Sequence, residues 1–368
     1  MRQSFAQWLR QQRFAPSRKL PAEISRGAAM TTGPGELRIS FNDLRSVLRD
    51  IFLNNGTSNV AADILAANCA GCERDGAISH GIFRIPGYLA SLETGWVDGK
   101  AEPDVERISP SFIRIDARNG FAQPALAAGA EAIKTAVEST GIAIVAIRNS
   151  HHFSALWPDV EPFAREGLLA LTFVNGLANV VPHGGHAPVY GTNPIAFATP
   201  VANAEPLVVD QATSVMANGE VRLHALANTP LPPGAGVDSA GRPSTDPHAV
   251  LAGGALNTFG GYKGSSIAFL VELMAGALTG GQLSFENDFG ECVGAQTPKA
   301  GQLLMVIDPT RGGNAGFAQR VSHLCSRLID AGQDRLPGQR RYASRLNAER
   351  FGIPISGDNL LQLKALAA

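Results

Sequence analysis

Five β-rich runs in the middle of the chain limit the fold more than any other feature. GIAIVAIRN, GLLALTFVNG, NPIAFATPV, PLVVDQAT and GQLLMVIDP are short, apolar and bounded by Gly, Asn or Pro. Helical runs around residues 122–139 and 157–166 separate some of them, while others follow one another with loops only. Strict strand–helix alternation would give a doubly wound parallel sheet; this pattern predicts an α+β sheet domain. The glycine motifs agree. No G-x-G-x-x-G follows a strand, and FGGYKGSS has the glycines and lysine of a phosphate loop in the wrong order. A dinucleotide, if one binds, must be held by a fold other than the Rossmann type.

Helical periodicity precedes and follows these runs. FNDLRSVLRDIFLNNG and SNVAADILAANCAGCERDG repeat apolar residues every three or four positions, with Asn42 and Ser58 as expected N-caps and Gly56 and Gly76 as stops. A short helix with Pro86 near its start comes next, and the tail after Ala315 is helical again. TPLPPGAGVDSAGRPSTDPH reads as a long loop, and SSIAFLVELMAGALTGG as a buried helix. The expected division is an extension over residues 1–36, a helical domain over 37–115, an α+β domain over 116–310, and a C-terminal segment over 311–368 that packs on the helical domain.

Charge excludes several functions. With 31 Lys and Arg against 32 Asp and Glu, the chain has no basic excess for nucleic acid and no basic amphipathic helix for a membrane surface. The apolar stretch near Ile267–Leu278 contains Glu272 and is shorter than the roughly 20 residues that span a bilayer. Six basic side chains and Glu23 fall in the first 30 residues, a transit-peptide-like composition. The reading adopted is a disordered extension, with Met30 as an alternative start. Four cysteines are too few for a disulfide framework, and reduced thiols fit a cytoplasmic location. Cys69 and Cys72 form a single CxxC on a helix, which reads as packing; no metal site is expected.

Four segments carry residues suited to chemistry. Ser79-His80-Gly81 with Arg84 sets a group that titrates near neutrality beside a carboxylate-matching fork, or is simply a capped turn. Asn149-Ser150-His151-His152-Phe153-Ser154-Ala155-Leu156 sits where a strand ends and a helix begins, where free N–H groups suit a pyrophosphate. Pro182-His183-Gly184-Gly185 and Gly191-Thr192-Asn193-Pro194 are turns whose backbone can approach a ligand. Arg335-Leu336-Pro337-Gly338-Gln339-Arg340-Arg341 is a phosphate clamp or a solvated basic loop.

Taken in order, SHGIFRIPGYL, NSHHFSALW, VPHGGHAPVYGTNPIAFATP, FGGYKGSS and RLPGQRR resemble the malate/L-lactate dehydrogenase type 2 oxidoreductases, which lack a Rossmann fold. The likeness runs from about residue 38 to the C-terminus. NSHHF, ALWPDVEPFA, GFAQPALAAG and RLPGQRRY look most like the branch that reduces Δ1-piperideine-2-carboxylate and Δ1-pyrroline-2-carboxylate. The resemblance implies a non-Rossmann NAD(P)-binding sheet domain with a helical domain made from both chain ends. It further implies NADPH-dependent reduction of a cyclic imino acid, with no nucleic-acid or membrane partner, and a homodimer.

The implied roles follow the motifs. His80 is the proton donor, with Ser79 and Glu220 in its relay. Arg84, Thr192, Asn218 and Gly219 hold substrate. His152, Phe153, Ser154, Ala155, Leu156, Asp210, Gln211, Ala212, Tyr262, Lys263 and Arg335 through Arg341 contact NADPH. Two departures stand out: Glu220 replaces the branch's usual aspartate, and Gln211 a usual methionine. The competing readings are a 2-hydroxyacid dehydrogenase and a non-catalytic ligand-binding descendant. Intact Ser79, His80 and Arg84 weigh against the second of these.

Overall fold

The computed structural model describes residues 36–313 and 316–368, so the expected extension over 1–36 lies almost wholly outside the described residues. The helical body begins with strand β1 (Glu36–Ile39), then helices α1 (Phe41–Asn54), α2 (Asn59–Arg74) and α3 (Ile85–Glu93). Ser40, not Asn42, caps α1: its hydroxyl accepts from the Asp43 amide at 3.1 Å, so the helix starts one residue before Asn42. Ser58 caps α2 as expected, accepting from Ala61 N. Leu44, Leu48, Ile51, Phe52, Leu65, Ile85 and Tyr88 are buried between these helices. Each such side chain contributes about 1.5–3 kcal/mol by leaving water.

The second body is built on a seven-stranded mixed sheet. Its strands are β2 (Asp104–Arg107), β3 (Phe112–Phe121), β4 (Ile142–His151), β5 (Leu169–Val174), and, after the two-residue β6 (Val180–Val181) that joins another sheet, β7 (Ile195–Thr199) and β8 (Leu207–Gln211). The long strand that closes the order, Lys299–Ile307, inserts between β4 and β5, giving β2-β3-β4-(299–307)-β5-β7-β8. Only β3 and β4 pair in parallel; all other neighbours are antiparallel. That is an α+β sheet without Rossmann crossovers. The sheet starts at Asp104, ahead of residue 116. Helices α4 (Ala122–Ala128), α5 (Ala130–Thr140) and α6 (Trp157–Arg165) cover it. Ile113, Ile115, Val145, Ile147, Leu156, Val160, Leu304 and Val306 form the core beneath them.

Helix α7 (Asn218–Ala227) leads into the segment read from sequence as a loop. That segment is partly ordered: β9 (Gly236–Val237) and β10 (Pro243–Ser244) pair antiparallel, followed by α8 (Pro247–Leu251) and β11 (Ala255–Asn257), which pairs β6 in parallel. Val180, Val221, Leu231 and Leu256 give it a small core. Helix α9 (Tyr262–Val271) continues into a π-turn over Glu272–Ala277. It is not the buried helix its composition suggests, because Phe269, Leu270, Leu273 and Leu278 are 42–53% exposed.

After β12 (the central Lys299–Ile307 strand) come α10 (Phe317–Asp330), α11 (Gln339–Phe351), β13 (Ile353–Ser356) and α12 (Gly357–Ala367). The chain end rejoins its beginning: β13 pairs antiparallel with β1, and Ala348, Ile353, Ile355 and Leu363 share the core of α1 and α2. Arg345 locks the junction, with Nε 3.0 Å from Asp75 and Nη1 2.7 Å from Glu161, tying α11 to the end of α2 and to α6. No described helix is long and apolar enough to cross a membrane.

Candidate active site

Two 3-10 turns, Ile78–His80 and Ile82–Arg84, link α2 to α3 and carry the Ser-His-Gly-x-x-Arg segment. The Ser79 hydroxyl lies 3.0 Å from His80 Nδ1. Arg84 Nε donates to the Ser79 carbonyl at 2.9 Å, so hydroxyl, imidazole and guanidinium share one turn. Gly81 is required between them. A Cβ there would lie 2.3 Å from Glu73 Oε1, whose carboxylate enters the space to accept from Ile82 N at 2.8 Å. The Arg84 guanidinium stands 4.3 Å from the centre of the Phe153 ring. Phe153 in turn meets Tyr88 edge-on at 5.3 Å, which anchors the site in the helical core.

Charge in this turn is poorly compensated. Among the described residues neither Arg84 nor Arg222 of α7 forms an ion pair with a carboxylate. Burial first, and then the Arg222 charge, bring the Arg84 guanidinium down to about 10. Burial, Arg84 and His152, in that order, hold the His80 imidazolium well below its usual range. The turn therefore favours neutral imidazole next to a cation that lacks an anion.

The expected substrate groups are only partly gathered. A Cβ at Gly219 would lie 3.4 Å from Ser79 Cβ and 3.5 Å from Arg84 Nη2, so the start of α7 sits against the turn. Asn218 is the first residue of that helix. The Glu220 carboxylate turns back to accept from Ala217 N at 3.2 Å, at the third position of α7, and among the described residues no hydrogen bond joins it to His80. An otherwise unpaired N–H at a helix start attracts a carboxylate in this way. Thr192 is pinned by its carbonyl, which accepts from Thr213 N at 2.8 Å. Its neighbour Asn193 is fixed by buried Glu272 of the π-turn, accepting from Asn193 Nδ2 at 2.8 Å.

The expected cofactor residues form one clear cluster. The Arg335–Arg341 turn packs on β8 through Arg341, whose Nη2 donates to the Val208 carbonyl at 2.9 Å, and it borders a cavity of about 210 Å³ lined by Arg335, Arg340 and Arg341. Next to it, the start of α6 is not a free anion site. Leu156 N and Trp157 N both donate to Asp210 Oδ2 at 2.9 Å, so a protein carboxylate takes the place expected for a pyrophosphate. His152 points inward, with Nε2 2.8 Å from Asp159 and 3.1 Å from Gln123, and the Ser154 hydroxyl engages Asn68. Ala155 and Leu156 are buried, whereas Gln211 is exposed and Ala212 only partly covered. Tyr262 and Lys263 lie exposed at the start of α9, with the Tyr262 ring 6.4 Å from His183. Among the described residues no hydrogen bond or ring contact joins these two to the arginine turn.

Cys69 and Cys72 are buried in the two cores, and burial pushes the Cys72 thiol up to about 12. Both pack as inert thiols. Among the described residues no group of three or more His, Cys, Asp or Glu gathers as a metal ligand set.

The turn between α2 and α3 thus sets a hydroxyl-bonded imidazole beside a guanidinium, groups whose chemistry suits proton exchange and carboxylate binding, in a chain whose mixed sheet lacks Rossmann crossovers. The chain belongs to the malate/L-lactate dehydrogenase family, whose model matches residues 39–364. It is 54% identical over 329 residues to the Δ1-pyrroline-2-carboxylate/Δ1-piperideine-2-carboxylate reductase of Pseudomonas syringae pv. tomato, covering 89% of this chain and 96% of that one. The corresponding protein of Pseudomonas putida is 52% identical over 330 residues, covering 90% and 97%. The crystal structure of the Δ1-piperideine-2-carboxylate reductase from Pseudomonas syringae superposes with a TM-score of 0.88 over 90% of this chain and 99% of that one.

Proposed function

We propose that this chain is an NADPH-dependent reductase of cyclic imino acids, converting Δ1-piperideine-2-carboxylate to L-pipecolate and Δ1-pyrroline-2-carboxylate to L-proline. The observation that carries this reading is the His80–Arg84 turn, in a chain 54% identical to a reductase named for both substrates. Arg84 fixes the substrate carboxylate and so selects the face of C2 that is attacked. When bound, NADPH supplies the hydride. As the C=N electrons move onto the ring nitrogen, His80 delivers the proton there. The substrate carboxylate itself prepares the donor, because its charge offsets the Arg84 field that disfavours imidazolium.

The arginine turn fits the cofactor. Arg335 and Arg340 form no ion pair among the described residues and flank a cavity, which leaves their guanidinium groups to hold the 2′-phosphate of NADPH. The test is NADPH oxidation with Δ1-piperideine-2-carboxylate, Δ1-pyrroline-2-carboxylate, pyruvate and oxaloacetate side by side. Turnover confined to the two oxo acids would replace this reading with a 2-hydroxyacid dehydrogenase, and none with any of the four would favour the non-catalytic one.

The same reading makes the protein a cytoplasmic homodimer. All four cysteines are free, as in a reducing compartment. The exposed stripe of Phe269, Leu270, Leu273 and Leu278, continuous with Tyr262, is the kind of apolar surface that a partner covers. Light scattering of Phe269→Asp checks the dimer: a monomer supports this face, and an unchanged dimer rejects it.

A further inference from the structure

We propose that Arg222 is a second guanidinium for the substrate carboxylate, forming with Arg84 a two-armed cradle at the Ser79–His80 turn. This deepens the reductase reading and rests on it. Arg222 lies three residues after Gly219 on α7, and residues three apart share a helix face. Gly219 is the residue whose Cβ position falls 3.4 Å from Ser79 and 3.5 Å from Arg84, so Arg222 leaves α7 on the side of the site.

A second contact places the guanidinium itself. Arg222 Nη1 donates to Gln296 Oε1 at 3.2 Å. That Gln296 oxygen lies 3.1 Å from the Cβ position of Gly87, where the Phe153 ring also approaches to 2.6 Å. Phe153 is the ring under Arg84. Gln296 therefore ties Arg222 to the edge of α3 at Gly87, where the Phe153 ring that lies under Arg84 also packs.

Among the described residues neither guanidinium is ion-paired, and the Glu73 carboxylate beside the same turn accepts from Ile82 N. A charge removed from water without a partner is costly, and two like charges side by side compound that cost. Each guanidinium has spare donors: Arg84 commits Nε to Ser79 and Arg222 commits Nη1 to Gln296. A carboxylate has two oxygens and about four lone-pair sites, enough to accept from both forks. The 2-carboxylate is the one anionic group of the imine substrates, and the cradle lies beside the His80 proton donor. Burial lowers the pKa of the Arg222 guanidinium.

The experiment compares wild type with Arg222→Gln, Arg222→Lys and Gln296→Leu. It measures KM and kcat for the imine, calorimetric affinity for pyrrole-2-carboxylate as a planar non-reacting analogue, NADPH affinity, and Tm. Losing one charge-assisted hydrogen bond raises KM and the analogue Kd by about 10- to 100-fold in Arg222→Gln. Lysine recovers part of that loss, Gln296→Leu gives a smaller rise, and NADPH affinity and Tm stay at wild-type values. Unchanged KM and analogue affinity in Arg222→Gln overturn the proposal. So does a variant that loses NADPH affinity or Tm as much as analogue affinity, because that pattern marks a residue that only ties α7 to the 287–297 segment. Analogue binding needs no turnover. An inactive wild type would therefore count against the reductase reading, while a shared loss of analogue binding would still locate the cradle.

Discussion

Replacing His80 with alanine tests the chemistry most directly. Its imidazole is bonded to Ser79 Oγ at 3.0 Å, whereas the arginine turn is held on β8 by contacts that do not involve it. Loss of a general acid costs about 10²–10⁴-fold in kcat, or roughly 3–5 kcal/mol of barrier. The expected result is that loss in NADPH oxidation with unchanged NADPH affinity by fluorescence titration. The pH profile sharpens the test. The donor must be protonated, so activity falls as pH rises through the His80 pKa. In the free enzyme, burial, Arg84 and His152 hold that pKa below 6.5, which puts the kcat/KM limb below 6.5. In the substrate complex the bound carboxylate offsets Arg84, so the kcat limb lies at higher pH. A His80→Ala enzyme with near wild-type kcat removes the residue from the mechanism. Coincident kcat and kcat/KM limbs in the wild type refute the electrostatic argument.

Arg340→Ala should lower kcat/KM for NADPH by about 10- to 100-fold, the value of one charge-assisted phosphate contact, and leave NADH unchanged; equal losses for both cofactors would mean the turn does not read the 2′-phosphate. Glu220→Gln should keep the wild-type rate and pH profile, because the carboxylate caps α7 at Ala217; a sharp loss at high pH would restore it to the proton relay. Acid should destabilise the fold through His151, whose pKa burial depresses from 6.5 to about 3. The unfolded chain takes up that proton first as pH falls below 6.5, so stability drops through the window from 6.5 to about 3, by up to about 5 kcal/mol. Thermal melts across that range check it, and His151→Gln should flatten the dependence.

The strands that hold the central sheet were legible because each is a short β-branched run between breakers: β4, β5, β7, β8 and β12 fall where that pattern puts them. β3 was not, because FIRIDARNGF alternates with charges and carries two left-handed residues, Arg118 and Asn119, at its bulge. The insertion of β12 between β4 and β5 joins residues about 150 positions apart, and no local pattern encodes it. At the site, Ser79, His80 and Arg84 could be read because they lie within one turn. Arg222 could not: it follows the expected Asn218-Gly219 pair by one helical turn, and only the fold brings that face to Arg84. The partner of the α6 start was not legible for a related reason. A helix N-terminus attracts any carboxylate, and Asp210, 53 and 54 residues away from its two donors, reaches it first.

The charge of the free site has a consequence for specificity. The buried Arg84 guanidinium next to His80 is least favourable when the site is empty and gains most from an anion. A cyclic imine without the 2-carboxylate, such as 1-pyrroline, loses the contact with Arg84. It also leaves the positive field intact, so His80 stays unprotonated as the hydride arrives. Discrimination should then appear in kcat as well as in KM, because the missing charge is needed in the transition state and not only on binding. If the carboxylate served for anchoring alone, saturating 1-pyrroline would be reduced at the kcat of Δ1-pyrroline-2-carboxylate. Measuring kcat for both at saturation, across pH, separates the two. A 1-pyrroline deficit that shrinks as pH is lowered toward the free-enzyme pKa is the signature of a donor protonated by its own substrate, and a pH-independent deficit would rule that linkage out.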